Sequence, residues 1–127
     1  MAKKKDDRPL DIGLASLHGK DEATAVEWWK QRLTLIAAIP SEAARAGAVL
    51  PQFRELSFFP SDERRRLTKA RMRAFLALPL DQQERILQAR RQAAGLDPAL
   101  FQSDTEITDS VAAEVPGGAE LQKRLPR

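Results

Sequence analysis

A repeat of nineteen residues limits what this chain can fold into. Shifting the sequence by that interval brings Pro60 onto Pro79, Asp62 onto Asp81, Arg66 onto Arg85, Leu67 onto Ile86, Ala70 onto Ala89, Arg71 onto Arg90 and Ala74 onto Ala93. Each copy opens on a large apolar residue and a proline (Phe59-Pro60, Leu78-Pro79). Proline forces the residue before it out of the helical region, and so marks a helix boundary. An acid two residues later falls in the first turn, where the helix dipole favours it. Ile39-Pro40-Ser41-Glu42 is a weaker third start, and Ser41 and Ser61 are good N-cap types. Helices that start alike and follow closely predict antiparallel neighbours joined by short turns.

At 100° per residue, Leu67, Ala70, Ala74 and Leu78 fall on one face of the first copy, and Arg65, Arg66, Lys69 and Arg73 on the other. Like charges at i,i+4 do nothing for the helix itself. The four cations are therefore either a solvated face or a surface for an acidic partner or phosphate backbone. Met72 and Leu76 flank this stripe, outside the main apolar face. They either rest on another helix or form the apolar edge of a binding surface.

Upstream, Val26, Trp29, Leu33 and Ile36 recur at helical spacing and predict a helix from about Asp21 to Ile39. Trp28 and Trp29 lie about 100° apart on it, so both cannot face one core. Trp29 is the core residue; Trp28 sits at an edge, covering a neighbouring helix or anchoring a partner. Ser41 to Leu50 reads as a short helix that Pro51 stops or kinks. Phe53, Leu56, Phe58 and Phe59 read as an apolar plug between the first and third helices. Gly95 is a natural helix end, and Asp97-Pro98 opens a last turn with Leu100 and Phe101 over the core.

The fold class that follows is all-α, a small antiparallel bundle of about four helices over residues 22–102. Residues 1–21 mix charge with Pro9, Gly13 and Gly19 and read as a flexible basic and apolar arm. Residues 103–127, rich in Ser, Thr, Asp and Glu before Pro116-Gly117-Gly118, read as a disordered tail.

Leu78-Pro79-Leu80-Asp81-Gln82-Gln83-Glu84-Arg85-Ile86 resembles the helix starts of small bacterial helical proteins of the Spy and CpxP type, stress chaperones whose repeated motif is Leu-Thr-x-x-Gln. Here Pro79 holds the threonine position and Gln82 the glutamine. The resemblance extends over about 35 of the 127 residues. It implies a helical hairpin scaffold that holds other proteins. Those chaperones carry export signals, whereas Lys3-Lys4-Lys5 here is followed by no apolar stretch of the kind a signal peptide needs.

Composition narrows the chemistry. The chain has no cysteine or tyrosine and a single histidine, His18, which lies in the arm with no second group to orient it as a base. Metal, nucleotide and nucleophile-elbow motifs are missing from the sequence. We expect no enzyme activity, no cofactor and no metal. The absence of cysteine fits a reducing cytoplasm, and no run approaches the ~20 apolar residues of a membrane span. Net charge is +3, yet residues 60–94 carry nine Lys and Arg against four acids, while 95–127 carry three against six.

Two functions remain. One is an adaptor or regulatory subunit that docks on a larger protein, or on itself, through Trp28, Met72, Leu76 and the arms. The other is nucleic-acid binding through Arg65, Arg66, Lys69 and Arg73, helped by Lys3 to Lys5.

Overall fold

The computed structural model describes residues 13–126. Among them six α-helices follow one another: α1 Glu22–Ala37, α2 Glu42–Ser57, α3 Ser61–Leu76, α4 Leu80–Leu96, α5 Pro98–Val111 and α6 Gly118–Arg124. A 3-10 turn, Leu14–Leu17, precedes α1, and another, Ala112–Glu114, follows α5. No strand occurs among the described residues.

The repeat runs through four helices. Their N-caps are Asp21, Ser41, Pro60 and Pro79, at intervals of twenty, nineteen and nineteen residues. Asp21 accepts from the Thr24 amide at 2.9 Å and Ser41 from Ala44 at 3.2 Å, each satisfying a donor that a helix start leaves open. Ser61 is not the cap expected of it. Pro60 takes that place, as Pro79 does in α4, and their carbonyls accept the first intrahelical bonds, from Arg64 at 2.8 Å and Gln83 at 3.0 Å. Proline suits this junction because its fixed φ, −58° at both sites, leads into a helix and its missing N–H is not needed there.

The same interval aligns the buried faces. Trp29, Val49, Thr68 and Leu87 are equivalent and buried, and so are Arg32, Gln52, Arg71 and Arg90. One position of each copy thus carries a long polar side chain into the interior.

Neighbours in sequence are not the main partners in space. Helix α1 packs chiefly on α3, which also meets α5, while α2 packs chiefly on α4. Arg73, in the last turn of α3, pairs with Glu22 in the first turn of α1, while Glu63 and Arg66 in the first half of α3 hold Gly19 and Lys20 just ahead of that turn. Arg65 near the start of α3 donates to Ser110 near the end of α5, and Arg71 further along α3 donates to Asp104 earlier in α5, so these two run antiparallel. Glu42 at the start of α2 accepts from Gln88 and Gln92 in the second half of α4. The expected hairpins of consecutive helices are replaced by two interleaved layers, α1-α3-α5 and α2-α4. Short linkers, 38–41, 58–60 and 77–79, turn the chain from one layer to the other.

Three boundaries differ from expectation. Pro51 does not end α2, which continues to Ser57. Gly47, whose carbonyl loses its partner to the proline, and Pro51 itself both face solvent, so water can satisfy the freed group. Gly95 lies inside α4, which ends on Asp97, at once its C-cap and the N-cap of α5. The disordered tail at 103–127 is overturned in the same way. Residues 98–111 and 118–124 are helical, and Phe101, Val111, Val115 and Leu121 are buried in the core.

Pro116-Gly117-Gly118 is a tight turn. Gly117 adopts φ +82°, which favours glycine, and a Cβ on Gly118 would lie 2.0 Å from the Ala112 carbonyl oxygen.

Part of the expected arm is packed as well. Leu14 and Leu17, three apart on a 3-10 turn, project from the same side and are 0% and 2% exposed. Burying a leucine stabilises by about 1.5–3 kcal/mol, enough to hold so short a segment. The Leu14 amide is satisfied by Glu55 at 3.2 Å and the Gly19 amide by Glu63 at 3.1 Å. Lys3 to Lys5, Leu10 and Ile12 lie outside the described residues.

Candidate functional site

The basic stripe is occupied by the protein's own acids. Arg65 meets Glu114 at 2.6 Å and Ser110 at 3.1 Å, and Lys69 takes the other oxygen of Glu114 at 3.1 Å. Arg66 donates to Glu63 at 2.8 Å and to the Lys20 carbonyl at 2.5 Å; Arg73 pairs with Glu22 at 2.5 Å. Lys69 holds the Glu114 carboxyl below its usual range, mainly through its hydrogen bond, with Arg65 assisting. The Gly19 amide, and then Arg66, do the same for Glu63. Such partly exposed pairs are weak singly, but together they clip the N-terminal turn, α1 and the turn after α5 onto α3.

Met72 and Leu76 are not a free apolar edge. Met72 is 3% exposed, an interior residue, because the segment containing α6 closes over it. Leu121 and Leu125 line the same cavity as Met72, and a Cβ on Gly117 would sit 3.3 Å from the Leu76 Cδ1. Trp29 is fully buried. Trp28 is half-buried, edge-on to Trp29 with centroids 5.1 Å apart, and the Arg32 guanidinium lies 4.5 Å from its ring centroid. Its outer face is thus shared with an arginine of its own helix.

Two other places carry unexplained chemistry. At the first, Phe58 caps the C-terminus of α2 and is 80% exposed, the most exposed large hydrophobic side chain among the described residues. It does not join the plug that its neighbours Phe53 and Leu56 form in the core. With half-buried Phe59, Pro60, Ala15, His18 and Glu55 it borders a surface cleft of about 310 Å³. The docked N-terminal turn forms one wall and the α2–α3 linker the other. His18 stands on the rim, 3.3 Å from Glu63 and largely in solvent.

At the second, the repeat-equivalent Arg71 and Arg90 converge on Asp104 of α5. Both donate to its Oδ2, at 3.0 and 2.6 Å, and Arg71 also donates to Thr108 at 3.1 Å and Arg90 to Thr105 at 3.3 Å. The guanidiniums rest among aromatic rings. Arg90 lies 5.2 Å from the centroids of Phe53 and Phe101, and Arg71 lies 5.6 Å from that of Trp29. Burial drives the Asp104 carboxyl up, but the two arginines outweigh it and hold it below its ordinary value. Burial lowers Arg90, opposed by Asp104. Gln52, Arg71, Arg90 and Thr108 face a cavity of about 60 Å³ beneath α6, whose other walls are apolar.

The repeat had paired Arg71 with Arg90 by position. Nothing in the sequence marked Asp104, which lies in the stretch read as tail. Phe58 could not be told from the other phenylalanines by pattern, because only the turn after α2 decides where it points.

Among the described residues no group of three or more His, Cys, Asp or Glu could hold a metal ion, and no helix is long and apolar enough to cross a membrane. No protein-family model matches the chain, and no similar curated protein or solved structure was found.

Proposed function

We propose that this protein is a non-enzymatic helical adaptor that docks on a cytoplasmic partner protein by seating an apolar side chain of that partner against Phe58. The supporting observation is the 80% exposure of Phe58 at the edge of a preformed cleft. An aromatic ring brings about 150–250 Å² of apolar surface to an interface. Here it stands beside a second aromatic, Phe59, with Glu55 and His18 as polar rim. Apolar centre and polar rim is how protein interfaces are built, and aromatic residues at such centres carry most of the binding energy. The likeness of Leu78 to Ile86 to the helix starts of proteins that hold other proteins points the same way.

The nucleic-acid reading draws no comparable support. Its four cations are engaged with Glu22, Glu63 and Glu114, and a phosphate backbone would have to displace those acids. Trp28, Met72 and Leu76 are replaced by Phe58 as the docking residue of the adaptor reading.

The test is capture from nuclease-treated lysate of the native cell, comparing the wild type with Phe58→Asp and with Lys69→Ala. A protein retained by the wild type and K69A but lost with F58D supports the reading. Equal recovery by all three, or capture that nuclease abolishes, overturns it.

A further inference from the structure

We propose that the cavity beneath α6 is a binding site for a small monocarboxylate, held by Gln52, Arg71 and Arg90. Three observations meet there. The first is charge: Arg71, Arg90 and Asp104 are 9%, 7% and 4% exposed, so two cations are buried with one buried anion, and the further carboxylate that acts on Arg90, Asp109, is only half-buried. Low-dielectric surroundings make an unbalanced charge costly, and a second anion balances it.

The second is unsatisfied donors. Gln52 Nε2 and Arg90 Nε are buried without a hydrogen-bond partner, although both residues line the cavity. A carboxylate only accepts, through two oxygens, and matches amide and guanidinium donors.

The third is size and lining. About 60 Å³ is well under the roughly 150 Å³ of a cavity that holds benzene. It suits an acid of two to four carbons, with the short alkyl end against Met72, Leu121 and Leu125. Helix α6 is the door. It hangs from the Gly117-Gly118 turn and is latched by Arg124, which donates to Gln83 at 2.9 Å and lies 3.6 Å from Glu84.

Water is the competing occupant. It would satisfy the donors, but it carries no charge to offset the second buried guanidinium.

The experiment follows the Gln52 side-chain amide and the arginine Nε–H signals of the full chain by NMR. Sodium propionate is titrated at constant ionic strength against sodium chloride, with propionamide as the uncharged isostere. The expected result is saturable movement of the Gln52 and Arg90 signals with propionate alone, accompanied by a rise in melting temperature, since a ligand that binds only the native state stabilises it. Gln52→Leu weakens propionate by about tenfold or more, through loss of a hydrogen bond to a charged group. Gln52→Glu, which supplies the carboxylate from within, no longer responds. If propionamide or chloride moves the same signals as far, or if propionate does not saturate, the cavity holds water and the proposal fails. Should either variant not fold, the comparison of propionate with propionamide on the wild type decides.

Discussion

Arg71 and Arg90 hold the same place in successive copies of a nineteen-residue repeat and donate to the same atom, Asp104 Oδ2, at 3.0 and 2.6 Å. The consequence is architectural. One carboxylate on α5 ties α3 of the first layer to α4 of the second, so the helix that the repeat does not include fastens the helices that it does.

Replacing Asp104 with alanine strands two buried guanidiniums. Breaking a buried pair by removing one partner costs about 3–5 kcal/mol, and we expect D104A to lose at least that much in urea unfolding. Replacing all three members by apolar residues of similar volume (R71M, R90M, D104L) recovers most of the loss, because no charge is then buried unpaired.

Acid sensitivity follows from the same carboxylate. The folded pKa of Asp104 lies below its ordinary value of 3.8, so on acidification the unfolded chain takes up the proton first. Its contribution is fully present above that value and is lost as pH falls through the folded pKa. Asp21, Glu63 and Glu114 are shifted in the same direction and add to the effect. Urea midpoints of the wild type should therefore drop below about pH 4, and D104N, less stable throughout, should show a shallower drop.

Deleting residues 103–127 is expected to abolish cooperative unfolding. It removes the partner of Arg71 and Arg90 together with buried Val111, Val115 and Leu121. Near-UV circular dichroism of the tryptophans reports the loss; a native-like spectrum from the truncated chain would contradict the packing described.

The reason this segment was illegible explains how much the sequence disclosed. Caps, prolines and the repeat located the four helix starts to within a residue or two, and Trp29, Leu67, Ala70 and Ala74 were readable as core from spacing. In α5 the inward stripe is Phe101, Asp104, Thr105, Thr108 and Val111. The spacing is helical but the centre is polar, and it can be buried only because two arginines from elsewhere in the chain neutralise it. Hydrophobic periodicity does not register such a face. The basic stripe misled for the mirror reason: Arg65 and Lys69 owe their place to Glu114, forty-five or more residues away.

Those pairings carry a prediction for nucleic acid. A face that neutralised about four phosphates would show log affinity for duplex DNA falling against log salt with slope near −3.6. With Arg65, Arg66, Lys69 and Arg73 engaged internally, we expect weak binding and a slope near zero in fluorescence anisotropy.

Phe58→Ala removes a side chain that is mostly in solvent, so stability should change by no more than about 0.5 kcal/mol. The most direct test of the docking account is the dissociation constant of the captured partner for wild type and F58A, measured by calorimetry on the full chain. A central aromatic contact is worth about 2 kcal/mol or more, so the account predicts affinity lower by roughly thirtyfold. Affinities equal within about twofold, a difference under ~0.5 kcal/mol, would contradict it.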